Sequence, residues 1–199
     1  CEEKSIDFYV MYGQTEATAR MSYLPHEHSI TKNGSMGIAI PGGEFSLIDE
    51  NGNTIEEPNR VGELVYKGKN VSMGYAVCRA DLAKGDENNG VLVTGDMAKR
   101  DRDGYYYIVG RKKRFIKLFG NRVNLDETER LLKNVISDCA CSGRDDEMVI
   151  YITDKSKLKK INRYIAEKTS INHQAFIVKY VPKIPKNSSG KTIYSKLPN

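Results

Sequence analysis

No apolar run in the 199-residue chain approaches the roughly 20 residues that cross a bilayer, so no transmembrane segment is expected. The opening stretch CEEKSIDFYV lacks a basic region followed by a long apolar core, which argues against a secretory leader. Cysteine is scarce: Cys1, Cys78, Cys139 and Cys141 form no Cys-x-x-Cys pair and are too few for a disulfide scaffold. A reducing cytoplasm fits that usage. Internal repeats and low-complexity tracts are absent too. The first residue is Cys1 rather than Met, and a piece of something longer is the expectation.

Hydrophobic residues make up 39% and charged residues 29%, with mean hydropathy −0.54. That supplies real cores, one large or two small, and is too mixed for a disordered tail. The net charge of +5 hides a step. Residues 1–110 carry more Asp and Glu than Lys and Arg, whereas residues 111–199 carry more than twice as many Lys and Arg as Asp and Glu. Such a step marks a domain boundary with the basic half facing an anion. The basic half lacks the interleaved aromatics and motifs of nucleic-acid binders, so a nucleotide phosphate is favoured over nucleic acid.

Residues 6–12 read as a buried strand running into the turn GQTE, with a short helix over 15–22. From about 36 to 110 the pattern is β-like. Asn51-Gly52 signals a hairpin inside EFSLIDENGNTI, GELVYKG reads as a short strand, and Asp103-Gly104 turns a second hairpin. Short strands with tight turns predict a small barrel or distorted sheet. Beyond the basic run GRKKR, at 110–114, come the strand FIKLFG, a helix over 125–136, the strand EMVIYIT, the amphipathic helix KLKKINRYIAEK and the strand AFIVKYV. Together these predict a compact β/α unit.

Three motifs could carry chemistry, each with a plain alternative. In YGQTE (12–16), Gly13 permits close backbone approach, Tyr12 offers a flat face, Thr15 a hydroxyl and Glu16 a carboxylate suited to Mg²⁺. A helix start capped by Thr15 is the plain reading. VLVTGD (91–96) ends an apolar run at Asp96, which can accept from two ribose hydroxyls or simply form an Asx turn. KNSSGKT (186–192) fails as a phosphate loop, because Pro185 stands where the first Gly belongs and no helix follows. It leaves a flexible Ser-Ser-Gly loop presenting Lys191, a point charge for carboxylate and phosphate or an ordinary solvated lysine.

Order and spacing join these signals. GSMGIAIPG, GELVYKGKNVSMGYA, VLVTGD, DRDGYYYIVGRKKRFIKLFGNRVNLDETE and PKNSSGKT occur in the order in which the AMP-forming adenylating superfamily carries them, and residues 9 to about 197 resemble it. That superfamily holds acyl-CoA synthetases, fatty acyl-AMP ligases, luciferases and the adenylation domains of peptide synthetases. The resemblance implies an α+β fold: a small distorted β-barrel or sheet subdomain with the end of the large adenylation domain over 1–110, a hinge over 111–114, and a compact C-terminal β/α lid domain over 115–199.

By the same resemblance Tyr12 stacks on adenine, Gly13 lies in the turn over the adenylate, Thr15 contacts phosphate and Glu16 ligates Mg²⁺. Asp96 takes the ribose hydroxyls and Arg111 the ribose or phosphate. Lys113 falls at the hinge, followed by Arg114 where the family has Asp. Gly120 lines the pantetheine tunnel, Arg122 reaches the ATP phosphates, and Lys191 bridges acyl carboxylate and α-phosphate. The implied activity is ATP-dependent, Mg²⁺-assisted formation of acyl-AMP from a fatty or other carboxylic acid, then transfer to CoA. The alternatives are transfer to a carrier-protein phosphopantetheine, or a non-catalytic nucleotide-binding module. The family's loop [ST]SGTTGxPK does not occur in the sequence, so the 199-residue chain alone is expected to be inactive.

Other residues read as structural. His26 and His28 lack a third metal ligand at sensible spacing. Cys139 and Cys141 alternate on a strand as buried thiols. Tyr105, Tyr106 and Tyr107 pack a hairpin.

Overall fold

A computed structural model describes residues 6–198; Cys1 lies outside the described residues. The chain separates into two compact units, one ending at Lys112 and the other beginning at Lys113.

In the first unit, β1 (Val10–Tyr12), β2 (Ser22–Leu24) and β3 (Ile38–Ala39) make a small antiparallel sheet. The strand expected over 6–12 is thus confined to its end. The helix expected over 15–22 does not form; a 3-10 turn covers Thr15–Ala17. Thr18 and Ala19 then take φ of 39° and 60°, a left-handed backbone that a helix cannot continue through. The chain folds back on itself, and Met21 N donates to Tyr12 O at 2.8 Å.

β4 (Gly43–Ile48), β5 (Val61–Gly68), β6 (Val91–Arg100) and β7 (Tyr106–Arg111) follow as an antiparallel meander in chain order. The Asn51-Gly52 turn closes through a single bridge, Ile48 to Thr54, and the full partner of β4 is β5, from Gly43 opposite Gly68 to Ile48 opposite Glu63. Asp103-Gly104 does connect two full strands, with Gly104 at φ 87°. The barrel expected here is not closed. Register shifts at Glu63/Val65 and Met97/Ala98 bend an open, distorted sheet.

Alternation along β4 and β5 turns Phe45, Leu47, Leu64 and Tyr66 to one face, where they pack with Ala98 and Tyr106. Ala17 and Met21 enter the same core, so the YGQTE turn is seated on the meander's hydrophobic face. The larger of these, such as the fully buried Met21 and Leu64, contribute roughly 1.5–3 kcal/mol each. The two sheets join at Gly37: Tyr106 N donates to Gly37 O at 3.0 Å and Met36 N to Tyr106 O at 2.9 Å.

The second unit starts with the hairpin β8 (Phe115–Leu118) and β9 (Asn121–Asn124). Asn124 then caps α1 (Leu125–Leu132), its Oδ1 accepting from Asp126 N at 2.9 Å and Glu127 N at 3.4 Å. The α-helix ends at Leu132, short of the expected 136. Asn134 and the β-branched pair Val135-Ile136 are weak helix formers, and the chain turns there while still burying Ile136.

β10 (Cys139–Arg144), β11 (Glu147–Ile152), α2 (Leu158–Thr169) and β12 (Phe176–Tyr180) complete it. β11 is central, antiparallel to β10 and parallel to β12, the parallel pair being bridged by α2. Met148, Ile150 and Ile152 point to a core shared with Leu132, Ile161 and Ile165 of the helices. Val149 and Tyr151 point the other way, packing with Val181 and Ile184. Both faces of the strand are covered, which explains its unbroken apolar run. No helix among the described residues is long and apolar enough to cross a membrane.

Candidate functional site

In the first unit, polar groups converge on one carboxylate. Asp96 is almost fully buried, its side chain 4% exposed. Its Oδ2 accepts from the Tyr12 hydroxyl at 2.5 Å and from Gln14 Nε2 at 2.8 Å, and Arg111 Nε lies 2.7 Å from its Oδ1. Burial and then the Asp96 carboxylate push the Tyr12 hydroxyl well above the ordinary phenol range. Asp96 does not sit in a turn after the strand, as its sequence suggests. Gly95 adopts φ 70° inside β6, letting the strand deform and continue to Arg100. The Thr94 hydroxyl donates to Leu64 O at 2.8 Å and accepts from Asp96 N at 3.1 Å, fixing the backbone below the carboxylate.

The YGQTE turn supplies the other side of the cluster. At Gly13 any Cβ would fall 2.4 Å from Ala19 O, so the fold-back of residues 18–20 demands glycine there. Thr15 is exposed. Glu16 is half-buried and accepts from the Tyr75 hydroxyl, which holds its carboxyl below the ordinary range. Ser72 N donates to Glu16 O at 2.7 Å, tying the turn to the 69–76 loop. Among the described residues no group of three or more His, Cys, Asp or Glu is placed to hold a metal. A cation shared between one carboxylate and phosphate oxygens fits Glu16; a protein-only cage does not. His26 and His28 have local roles: His26 Nδ1 lies 3.0 Å from the Tyr9 hydroxyl, and His28 stacks edge-on against Tyr105.

Sequence reasoning missed Gln14, Thr94 and Tyr75 as parts of this cluster. Gln14 lies within YGQTE, Thr94 within TGD and Tyr75 within SMGYA. The position of each inside a quoted motif was the available signal.

In the second unit, Gly120 and Phe119 form the two-residue β8–β9 turn with φ of 82° and 49°. Arg122 lies on β9, its guanidinium 4.5 Å from the Phe115 ring centre. Lys113 is exposed. Arg114, the departure from the family pattern, pairs with Asp126 at 2.7 Å and Glu129 at 2.6 Å and stacks 3.9 Å over Tyr194. Burial opposes its charge, but those carboxylates win and hold the guanidinium protonated. Burial lifts the Cys139 thiol to about 11 and pushes the Cys141 thiol well above its ordinary range, which disfavours a thiolate nucleophile at either position.

Lys191 sits on a hydrogen-bonded turn. Lys186 bridges to Thr192, Asn187 N donates to Lys191 O at 2.9 Å, and Asn187 Oδ1 accepts from Lys191 N at 2.9 Å and Ser189 N at 3.1 Å. The result is a closed hairpin turn presenting an exposed lysine. The structure therefore brings Tyr12, Asp96 and Arg111 together, sets Glu16 beside Tyr75, and carries Gly120, Arg122 and Lys191 on the other unit.

A family model described as AMP-binding enzyme matches residues 1–76. The 2-succinylbenzoate–CoA ligase of Geobacillus sp. (strain WCH70) is 30% identical over 99% of this chain and 42% of its own length. The 4-coumarate–CoA ligase-like 8 protein of Arabidopsis thaliana is 28% identical over 97% of this chain and 36% of its own length. Among solved structures, o-succinylbenzoate CoA synthetase from Bacillus subtilis, in complex with the acyl-adenylate intermediate OSB-AMP, matches with a TM-score of 0.77 at 25% identity, over 100% of this chain and 42% of that one. The chain spans about two fifths of the length of these relatives.

Proposed function

The chain belongs to the AMP-forming adenylating superfamily, and on that footing we propose that it serves an acid–thiol ligase, making acyl-AMP from a carboxylic acid and ATP and passing the acyl group to CoA. The observation that carries this is the buried Asp96 carboxylate, with Tyr12 and Arg111 already on it, at the mouth of the YGQTE turn. A vicinal diol needs paired acceptors with a charged partner, and Asp96 supplies them. The Tyr12 ring gives adenine a face, and Thr15 donates to phosphate.

Glu16 is the carboxylate for Mg²⁺, held ionised by Tyr75. The bound ion supplies neutralisation of phosphate charge while the acid attacks. Arg122 takes nucleotide phosphates, and Lys191 lowers the repulsion between acyl carboxylate and α-phosphate, the step in which two anions must meet. Lys113 is the pivot that changes the lid between half-reactions, after which Gly120 lines the path for pantetheine. Relatives named for succinylbenzoate and coumarate support an aromatic acid ahead of a fatty acid, and their naming as CoA ligases supports CoA over a carrier protein. The Bacillus synthetase has been solved with AMP and with ATP and magnesium ion, the co-substrates proposed here.

Lys191→Ala in the whole protein tests this reading. Pyrophosphate release from ATP and acid is expected to collapse, while thioester formation from preformed acyl-AMP and CoA is largely retained. Survival of both half-reactions unchanged overturns the role of Lys191. The 199-residue chain by itself is expected to bind AMP without forming adenylate.

A further inference from the structure

We propose that Gln14, the middle residue of the YGQTE turn, is the positioning residue that commits one oxygen of Asp96 to the protein and leaves the other for the nucleotide sugar. This rests on the ribose reading of Asp96. Gln14 Nε2 lies 2.8 Å from Asp96 Oδ2, 3.1 Å from Thr94 O and 3.1 Å from the Tyr12 hydroxyl. A carboxylate oxygen and a backbone carbonyl can only accept, so the amide must turn its NH₂ toward them. The side chain has one orientation.

Acceptor capacity then divides the carboxylate. An ionised carboxylate offers about four acceptor positions, about two on each oxygen. Tyr12 and Gln14 fill those on Oδ2. Among the described residues the partner of Oδ1 is Arg111, an ion pair at 2.7 Å whose arginine side chain is 60% exposed. Acceptor capacity on Oδ1 is therefore left for a ligand, and more of it becomes reachable when the exposed guanidinium swings away. A sugar diol therefore meets Oδ1, with Arg111 as the exchangeable ionic partner and Gln14 as the fixed donor. An apolar residue at position 14 would leave Thr94 O without this donor and Oδ2 with a single one, freeing the carboxylate to rotate.

Gln14 also begins the Thr15–Ala17 turn in extended conformation, at φ −131° and ψ 158°, and its carbonyl accepts from Ala17 N at 3.1 Å. The same residue thus starts the segment bearing Thr15 and Glu16 and grips the sugar carboxylate. Register between the phosphate and sugar contacts passes through it.

The test measures AMP and 2′,3′-dideoxy-AMP binding to the whole protein by calorimetry, for wild type, Gln14→Leu and Gln14→Glu. Wild type is expected to prefer AMP by about tenfold or more, the value of one or two hydrogen bonds to a charged acceptor. Gln14→Leu should lose about that factor on AMP and little on the dideoxy nucleotide, so the preference collapses. Gln14→Glu, nearly isosteric, sets a second carboxylate against Asp96 and should erase the preference as well; it carries the test if the Leu variant fails to fold. Equal weakening on both nucleotides means a merely structural role and overturns the inference. So does an unchanged preference in variants of a discriminating wild type, which leaves the ribose reading standing. A wild type that binds neither nucleotide, or both alike, overturns the ribose reading and this inference with it.

Discussion

Arg111 stands directly opposite Asp96 across β6 and β7, its Nε 2.7 Å from Oδ1. The pair is lopsided, a buried anion held by an exposed cation, so the carboxylate stays and the guanidinium is free to move. Asp96→Asn tests what the carboxylate does. Tyr12, Gln14 and Arg111 all present donors, and an amide NH₂ at position 96 faces a donor whichever way it turns. AMP affinity is expected to fall about 10- to 100-fold, the loss of one hydrogen-bonded charge. Calorimetry on the variant checks it, and an unchanged Kd would remove Asp96 from the nucleotide site.

Lys32 and Asp101 give the first unit an acid sensitivity. Burial works against the Asp101 charge, but Lys32 Nζ at 2.9 Å and Tyr105 N at 2.9 Å outweigh it and hold the carboxyl below its ordinary range. A folded value below the unfolded one means stability present at neutral pH and lost as pH falls from about 4 through the folded value. Asp101→Asn should therefore be less stable than wild type in urea at neutral pH, with the gap narrowing below about pH 4. A gap independent of pH would show that the carboxylate's charge contributes nothing.

How much of this was legible beforehand depended on sequence distance. The Asp103-Gly104 turn, the strand GELVYKG and the apolar run of β11 are local patterns, and each appeared where expected. The helix over 15–22 does not form: Thr18 and Ala19 take positive φ where the chain folds back to bond Met21 N to Tyr12 O, a contact local propensity does not report. VLVTGD reads as an apolar run ending at Asp96, yet Gly95 serves a deformation within a strand that continues to Arg100. Gln14 was silent because its partner is 82 residues away, and a glutamine gains a role only when folding brings an acceptor to it. Around Ser188-Ser189-Gly190 the Asn187 side chain closes the turn, a contact the run of small residues does not announce.

Gly37 joins the motif-bearing sheet to the meander, and its replacement tests whether that junction sets the site. It has φ 88°, and a Cβ there would lie 1.9 Å from Tyr23 O, a backbone atom that cannot step aside without moving β2. Tyr106 N donates to Gly37 O at 3.0 Å, so β7 is drawn into any shift. Gly37→Ala meets an unfavourable backbone conformation, costing more than ~1 kcal/mol, and a steric overlap on top of it. The expected result is a lower Tm with AMP affinity reduced as well, because β2 pairs with β1, which ends at Tyr12, while β7 ends at Arg111. Gly34→Ala is the matched control: φ is 83° there too, but nothing lies within 4 Å of the added Cβ. It should show only the conformational cost and keep its AMP affinity. Equal loss of affinity in both variants would mean that the Gly37 junction does not set the geometry of the carboxylate cluster.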